Sequence, residues 1–266
     1  MISPTAEVDP TALIDHEATI GDECVVGSHA RISGTVNISK KVWIAPNSII
    51  YGPAEVDENT YIDSNVIVGY PERKELETVL RERSMKAKIR SGGTVKIGKQ
   101  VLIRSNCIIY SKVVIGNNVR FGHNVMVREN VTIGDNALVG TNVIIDGETK
   151  IGQGTSIQTG AYVSTYSTVE DFVFLGPNCV LTNDKYLAQK KCKLKGPTVK
   201  KGASIGANAV LFPGITVGEG AVVGAGAVVI GDVPARTIVA GVPAEKVKNV
   251  PPDWRSRLYK FYPARS

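Results

Sequence analysis

From Ile2 onward an aliphatic residue recurs at every sixth position of this chain, and neither an amphipathic helix nor an alternating strand has a period of six. The series opens Ile2, Val8, Ile14, Ile20, Val26, Ile32 and runs unbroken to Val68. It restarts at Ile97, passes through Phe121, Val127 and Ile133 to Leu181, resumes at Val199 and ends at Val229. That makes 33 anchors in register among 266 residues. A repeat of this kind marks a solenoid, in which each unit buries its apolar side only by stacking on its neighbours.

Two further columns fill in the repeat. Four residues after each anchor the side chain is small or β-branched, as at Ala6, Ala12, Ala18, Cys24, Val119, Val125 and Ala137. Three residues after it, Asn and Gly recur, as at Asn47, Asn118, Asn124, Asn142, Gly154, Asn208 and Gly220. Asn and Gly tolerate the left-handed backbone that a sharp corner needs. Each hexapeptide therefore reads as one short inward-anchored strand and one corner, and three of them close a triangular coil. The 33 anchors predict an all-β chain of about eleven coils, a parallel β-helix roughly 50 Å long. Spacing leaves its hand open, since parallel crossovers are normally right-handed. Cys24, Cys107 and Cys179 fall in the small inward column, where core packing explains them.

The register divides the chain into N-terminal coils at 1–68, a charged insertion at 69–96, a main β-helix at 97–232 and a C-terminal cap at 233–266. The first insertion holds a run from Glu72 to Arg83 dense enough in charge for a helical turn or two. It reads as a solvated excursion, or as a lid or nucleotide-contacting loop. A loop at 185–197 interrupts the main block and carries Lys185, Lys190, Lys191, Lys193 and Lys195. It is either a solvated loop or one reaching a neighbouring subunit or an anionic ligand. In the tail, Trp254, Leu258, Tyr259, Phe261 and Tyr262 suggest a short amphipathic helix covering the open end of the sheets.

Composition excludes several classes. No apolar run approaches the ~18 residues of a membrane span. The first residues show no secretory signal, so a cytoplasmic location is expected. The four cysteines form no CxxC pair. A net charge of +6 favours anionic partners, but no nucleic-acid-binding signature accompanies it.

The segment Ile205-Gly206-Ala207-Asn208-Ala209-Val210-Leu211-Phe212-Pro213-Gly214, continued in kind to Val229 and completed by Val239-Ala240-Gly241-Val242-Pro243-Ala244, resembles the acetyl-CoA end of the hexapeptide-repeat acyltransferase superfamily. The resemblance extends over nearly the whole chain. It implies a left-handed β-helix, acetyl-CoA as co-substrate, and a homotrimer with active sites between subunits. It places the pantetheine arm beside Gly206, Ala207, Gly224 and Ala225, with Lys200, Lys201, Arg236 or Lys246 toward the CoA phosphates. The stretch from Val169 to Tyr186, with Leu181-Thr182-Asn183-Asp184, is similar to the nucleotide-amino-sugar N-acetyltransferases of surface-glycan synthesis. Those enzymes act on UDP- or dTDP-linked amino sugars, which implies Asn183 and Asp184 near the site. Ile2-Ser3-Pro4-Thr5-Ala6-Glu7-Val8-Asp9-Pro10 and Val68-Gly69-Tyr70-Pro71 are also similar to the UDP-N-acetylglucosamine O-acyltransferases of lipid A synthesis. Those enzymes end in a helical domain and use an acyl carrier protein, so O-acylation of a UDP-sugar, or of a small alcohol, ranks second. A non-enzymatic scaffold is the third reading.

Acyl transfer to an amine needs an unprotonated amine and a group to take its proton. Histidine suits that task, and the chain has His16, His29 and His123 only. His123, in Phe121-Gly122-His123-Asn124, resembles the position of the family's catalytic histidine. It reads as general base, as substrate-orienting donor, or as a solvated corner residue. Glu129 is a candidate to orient the ring or bind substrate, or a plain surface carboxylate. Coil arithmetic stacks residues 18 apart, which puts His123 in one column with Ser105, Thr141, Thr159 and Pro177 and makes Thr141 and Thr159 candidate sugar contacts. Three clustered histidines are lacking, so no metal is expected.

Overall fold

The computed structural model describes residues 1–82 and 92–261. Contacts divide the chain into two compact units, Met1–Asn130 and Val131–Ser266. Each is a parallel β-helix of the left-handed hexapeptide type, with short strands stacked on three faces.

In the first unit the strands Glu7–Val8, Val25–Val26, Trp43–Ile44, Tyr61–Ile62, Leu102–Ile103 and Arg120–Phe121 stack on one face. A second face runs from Leu13–Ile14 to Met126–Val127, and a third from Thr19–Ile20 to Val114–Ile115. In the second unit the faces begin at Thr132–Ile133, Leu138–Val139 and Ile144–Ile145, and each is named below by its first residue. Every anchor from Ile20 to Val229 is buried. Ile2, Val8 and Ile14 stay partly open because the first coil has a neighbour on one side only.

The corners take the form that the Asn and Gly column predicts. Asn47, Asn106, Asn118, Asn124, Asn142 and Asn208 all have φ between 56° and 63°. The same column also holds residues that pay for the left-handed region, among them His29, Tyr166 and Phe172. Glycine has a separate use one residue after an anchor. A Cβ on Gly206 would lie 2.4 Å from the Ala225 nitrogen, so the coil above leaves room for nothing larger than hydrogen.

Both insertions leave the stack intact. Tyr61–Ile62 pairs directly with Leu102–Ile103 across the first, so the insertion lies inside the first unit rather than between units. It contains a ten-residue helix, Arg73–Glu82, longer than the turn or two expected. Glu72 moors its start: the carboxylate meets Lys112 at 2.6 Å and accepts from Ser111 at 3.2 Å. Arg83 lies outside the described residues. Across the second insertion, Phe174–Leu175 pairs with Ser204–Ile205.

The tail departs from expectation. The six-residue period ends at Val229, yet Thr237–Ala240 adds a further parallel strand beside Val222–Val223. Glu245–Asn249 then pairs antiparallel with it and covers the sheet edge. A hairpin, not a helix, closes that end. The aromatic residues beyond it form a 3₁₀ turn, Arg257–Phe261, that docks on the flank: the Ser256 hydroxyl donates to the Phe172 carbonyl, and the Tyr259 and Phe172 rings lie 4.6 Å apart. Tyr262 lies outside the described residues. Among the described residues no helix is long and apolar enough to cross a membrane.

Neighbouring residues of one strand should differ sharply in their share of stability. Ile133→Ala removes a buried anchor and should cost about 3 kcal/mol. Thr132→Ala, on the outer side of the same strand, should stay within about 0.5 kcal/mol. Urea midpoints of the two variants check this.

Candidate functional site

Candidate residues lie at corners, because there the side chains leave the flat faces. In the first unit His123 sits one residue before the left-handed Asn124 and is exposed. Its Nδ1 lies 3.0 Å from the hydroxyl of Ser105, one coil away, as the 18-residue arithmetic requires. The Ser105 amide in turn donates to the Asp63 carboxylate at 3.2 Å. Glu129, in the same unit, is engaged by its neighbour: Arg128 donates to both carboxylate oxygens, at 2.8 and 3.0 Å, and lies 4.7 Å over the Tyr110 ring. Arginine thus holds its carboxylate, and the Ser105 hydroxyl meets the histidine ring.

In the second unit each corner carries a different set. Between the Leu138 and Ile144 faces, Thr141, Thr159, Pro177, Ala207 and Ala225 stack in successive coils: the Gly160, Asn178, Asn208 and Gly226 amides donate in turn to the carbonyls of Thr141, Thr159, Pro177 and Ala207 at 2.8–3.0 Å. Thr159 and Ala225 are exposed, and Thr141 and Ala207 half-buried. This column is narrow by construction, since Gly206 is pressed against Ala225 and a Cβ on Gly224 would meet that of Ala240 at 3.0 Å. Coil stacking alone thus calls for glycine at 206, independently of any ligand.

At the corner after the Ile144 face, Asn183 donates to the Thr165 carbonyl at 3.4 Å and accepts from the Lys195 amide at 3.0 Å, which closes the base of the lysine loop. Asp184 accepts from the Tyr186 and Ala188 amides at 2.9 and 2.8 Å. These backbone donors hold its carboxyl below the usual carboxylate range. Asp184 is thus the residue that folds the loop.

The corner between the Thr132 and Leu138 faces holds the tail. Arg236, with φ 49°, donates to the carbonyls of Val250, Trp254 and Pro251, the last at 2.6 Å. Lys201 lies 5.8 Å from the Phe172 ring centroid and 6.0 Å from that of Tyr259. Lys200 pairs with Glu170 at 2.7 Å. Burial raises the Glu170 carboxyl, but the bonds from Lys200 and the Lys201 amide outweigh it and leave the group below its ordinary value. Lys246 is exposed on the closing hairpin. A groove of about 1670 Å³ lies between this corner and the tail, lined by Lys201, Glu219, Arg236, Trp254 and Tyr259 among others. The tail contacts of Phe172, Arg236 and Tyr259 left no periodic signal to read, whereas the Ser105–His123 pair follows directly from the coil length. Among the described residues no three His, Cys, Asp or Glu side chains gather into a metal-binding group.

Two family models match the chain. One, the bacterial transferase hexapeptide (six repeats), covers residues 94–129 and 112–147. The other, the hexapeptide repeat of succinyl-transferase, covers residues 131–165 and 201–230. The matched repeats and the fold are those of hexapeptide-repeat transferases, to which the chain is similar. None of the curated proteins matches it in sequence. Among solved structures, a UDP-N-acetylglucosamine acyltransferase from Arabidopsis is similar with TM-score 0.60 at 21% identity, over 94% of this chain and 74% of that one. A UDP-N-acetylglucosamine acyltransferase from Campylobacter jejuni gives TM-score 0.47 at 16% identity, over 94% and 75%. A serine acetyltransferase from Vibrio cholerae O1 biovar El Tor is 36% identical over 42% of this chain and 43% of that one, with TM-score 0.39.

Asp184→Ala should speed amide exchange at Tyr186 and Ala188 by about tenfold or more, the loss of two charge-assisted hydrogen bonds. In the parent chain the protection should persist through neutral pH. It should fade only as pH falls through the depressed folded pKa of Asp184, because a carboxyl lowered by folding stabilises above its unfolded pKa. Hydrogen exchange between pH 2 and 7 checks both.

Proposed function

We propose that the chain transfers the acetyl group of acetyl-CoA to the amine of a UDP- or dTDP-linked amino sugar, for surface-glycan or glycoprotein synthesis in the cytoplasm. The observation that carries this reading is the exposed His123 at a corner, with Nδ1 3.0 Å from the Ser105 hydroxyl. The amine nitrogen attacks the thioester carbonyl, the C–S bond breaks as the amide forms, and His123 takes the proton that the amine loses. In the tautomer whose Nδ1 donates to Ser105, the imidazole carries its basic lone pair on Nε2. The glycine- and alanine-rich corner at 206–207 and 224–225 supports a thin, extended co-substrate arm, and Lys200, Lys201, Arg236 and Lys246 supply positive charge near that end of the chain. Thr141, Thr159, Asn183 and Asp184 remain the proposed acceptor side of the site. Both matching family models are named for transferases, which supports acyl transfer at the coarser level.

The second reading is O-acylation of a UDP-sugar. The observation in its favour is the fold shared over 94% of this chain with a protein named as a UDP-N-acetylglucosamine acyltransferase.

The active form proposed is a homotrimer. Outward side chains on the Ile144 face are Ile144, Tyr162, Val180, Val210 and Val228, whereas those on the Thr132 face are Thr132, Lys150, Thr168, Thr198 and Thr216. Of these two columns, the former is the apolar one that would seek a partner copy.

Thiol release from acetyl-CoA, measured with UDP- and dTDP-linked 3-amino and 4-amino sugars beside their hydroxyl counterparts, tests the reaction. Turnover with an amino sugar and none with its hydroxyl analogue is expected, and the reverse pattern would install the second reading. His123→Ala should lower kcat/KM by about 10²–10⁴. Ile144→Glu with Val210→Glu should shift the sedimentation mass from trimer to monomer.

A further inference from the structure

Seven of the described lysines meet a glutamate, and one loop gathers five that do not. Lys40, Lys41, Lys74, Lys96, Lys99, Lys112 and Lys200 each meet a glutamate within 4 Å. Lys185, Lys190, Lys191, Lys193 and Lys195 are all exposed, and among the described residues none of the five takes part in an ion pair. The one acid in the same loop, Asp184, is turned onto backbone amides. Five like charges within eleven residues repel one another, and a multivalent anion would relieve that repulsion.

The loop is also shaped. Asp184 folds its first turn, and the Asn183–Lys195 bond ties its two ends together. The ammonium groups of Lys185 and Lys190 lie 5.9 and 5.4 Å from the Tyr186 ring centroid, so one ring holds two of the cations together. At the loop's base, Asn183 donates to the carbonyl of Thr165. The next residue, Tyr166, occupies a left-handed corner with φ 67° and is 51% exposed. A bulky residue in that conformation is strained where asparagine or glycine serves most other corners, and such strain collects at binding sites.

We propose that this corner is a nucleoside-diphosphate site: the lysines of the 185–195 loop bind the diphosphate, and the base stacks on Tyr166. The inference rests on the reading that the acceptor is a nucleotide-linked sugar, and it assigns the nucleotide half of that acceptor to a particular corner. Ammonium groups suit phosphate oxygens as mobile point charges, and a tyrosine face accepts either uracil or thymine. Selectivity between UDP and dTDP is not built into such a contact.

Calorimetric titration of the full chain with UDP, dTDP, UMP and uridine tests the assignment. Wild-type affinity should fall in the order UDP, UMP, uridine and weaken with added salt. Lys185→Gln/Lys190→Gln/Lys191→Gln should bind UDP about tenfold or more weakly, as expected for lost charged hydrogen bonds. Its remaining affinity should depend less on salt than that of the wild type. Tyr166→Asn, which suits the corner's backbone, should weaken UDP and uridine by a similar factor while leaving the thermal transition no lower than wild type. Unchanged UDP affinity in the triple variant, or equal wild-type affinity for UDP and uridine, overturns the site. Two outcomes separate it from the proposed reaction. Lysine-dependent UDP binding without turnover of any nucleotide amino sugar keeps the site and removes the reaction. Turnover whose KM is unmoved by the lysine and tyrosine variants keeps the reaction and removes the site.

Discussion

Everything in this structure depends on a corner that must be made once every six residues. A flat parallel strand can stack indefinitely, but closing three of them into a coil requires a left-handed residue at each vertex. For most side chains that conformation is costly. The chain meets the requirement chiefly with asparagine and glycine, as at Asn118, Asn124, Asn136, Asn142, Gly154 and Gly160. Once the corners are made, an inward anchor and a small inward residue fill each coil, and neighbouring coils satisfy each other's backbone groups, as where Ile108 donates to the Val125 carbonyl at 2.9 Å.

The same constraint decides where chemistry can reside. Face positions are committed to inward packing or to an outward row, and their backbone groups are spent on the ladder. Vertices alone project side chains and can lengthen without cost to the stack. Both insertions use that freedom, and the pairs Ile62 with Ile103 and Leu175 with Ile205 show the ladder passing beneath them. A vertex therefore works as a fixed mount. Its neighbours one coil above and below are set by the strand spacing, so a hydroxyl such as that of Ser105 meets His123 at 3.0 Å without any loop having to find it.

This is also why some parts of the molecule could be read in advance and others could not. The anchors, the corners, the cysteines of the inward column and the stacking of Ser105 on His123 all follow from the period of six and the coil of eighteen. The tail has no period. Its place is set by side chains that look ordinary in sequence: Arg236 reaching three carbonyls, Tyr259 against Phe172, and Ser256 on the Phe172 carbonyl. Asp184 was legible as a residue of interest, but its use as the fold of a loop depends on amides two and four residues on, which only a three-dimensional turn brings round. Glycines at 206 and 224 show the opposite hazard, since the motif that suggests a ligand groove also satisfies coil stacking.

Departures from the cheapest corner residue then become informative. Where asparagine or glycine would relieve the backbone, a bulky residue must be retained for what its side chain touches. Phe172 accounts for itself: its ring carries Tyr259 and Lys201, and its carbonyl receives Ser256. Tyr166 bears the same backbone cost, yet half of its surface faces solvent, beside a loop whose lysines are also without acidic partners among the described residues. A strained aromatic and a surplus of positive charge on adjacent coils of one corner are each unfavourable in the chain alone. A ligand with a flat apolar base and a multivalent anion would offset both, and that shared requirement is the physical reason to look for the nucleotide at this corner rather than in the larger groove beneath the tail.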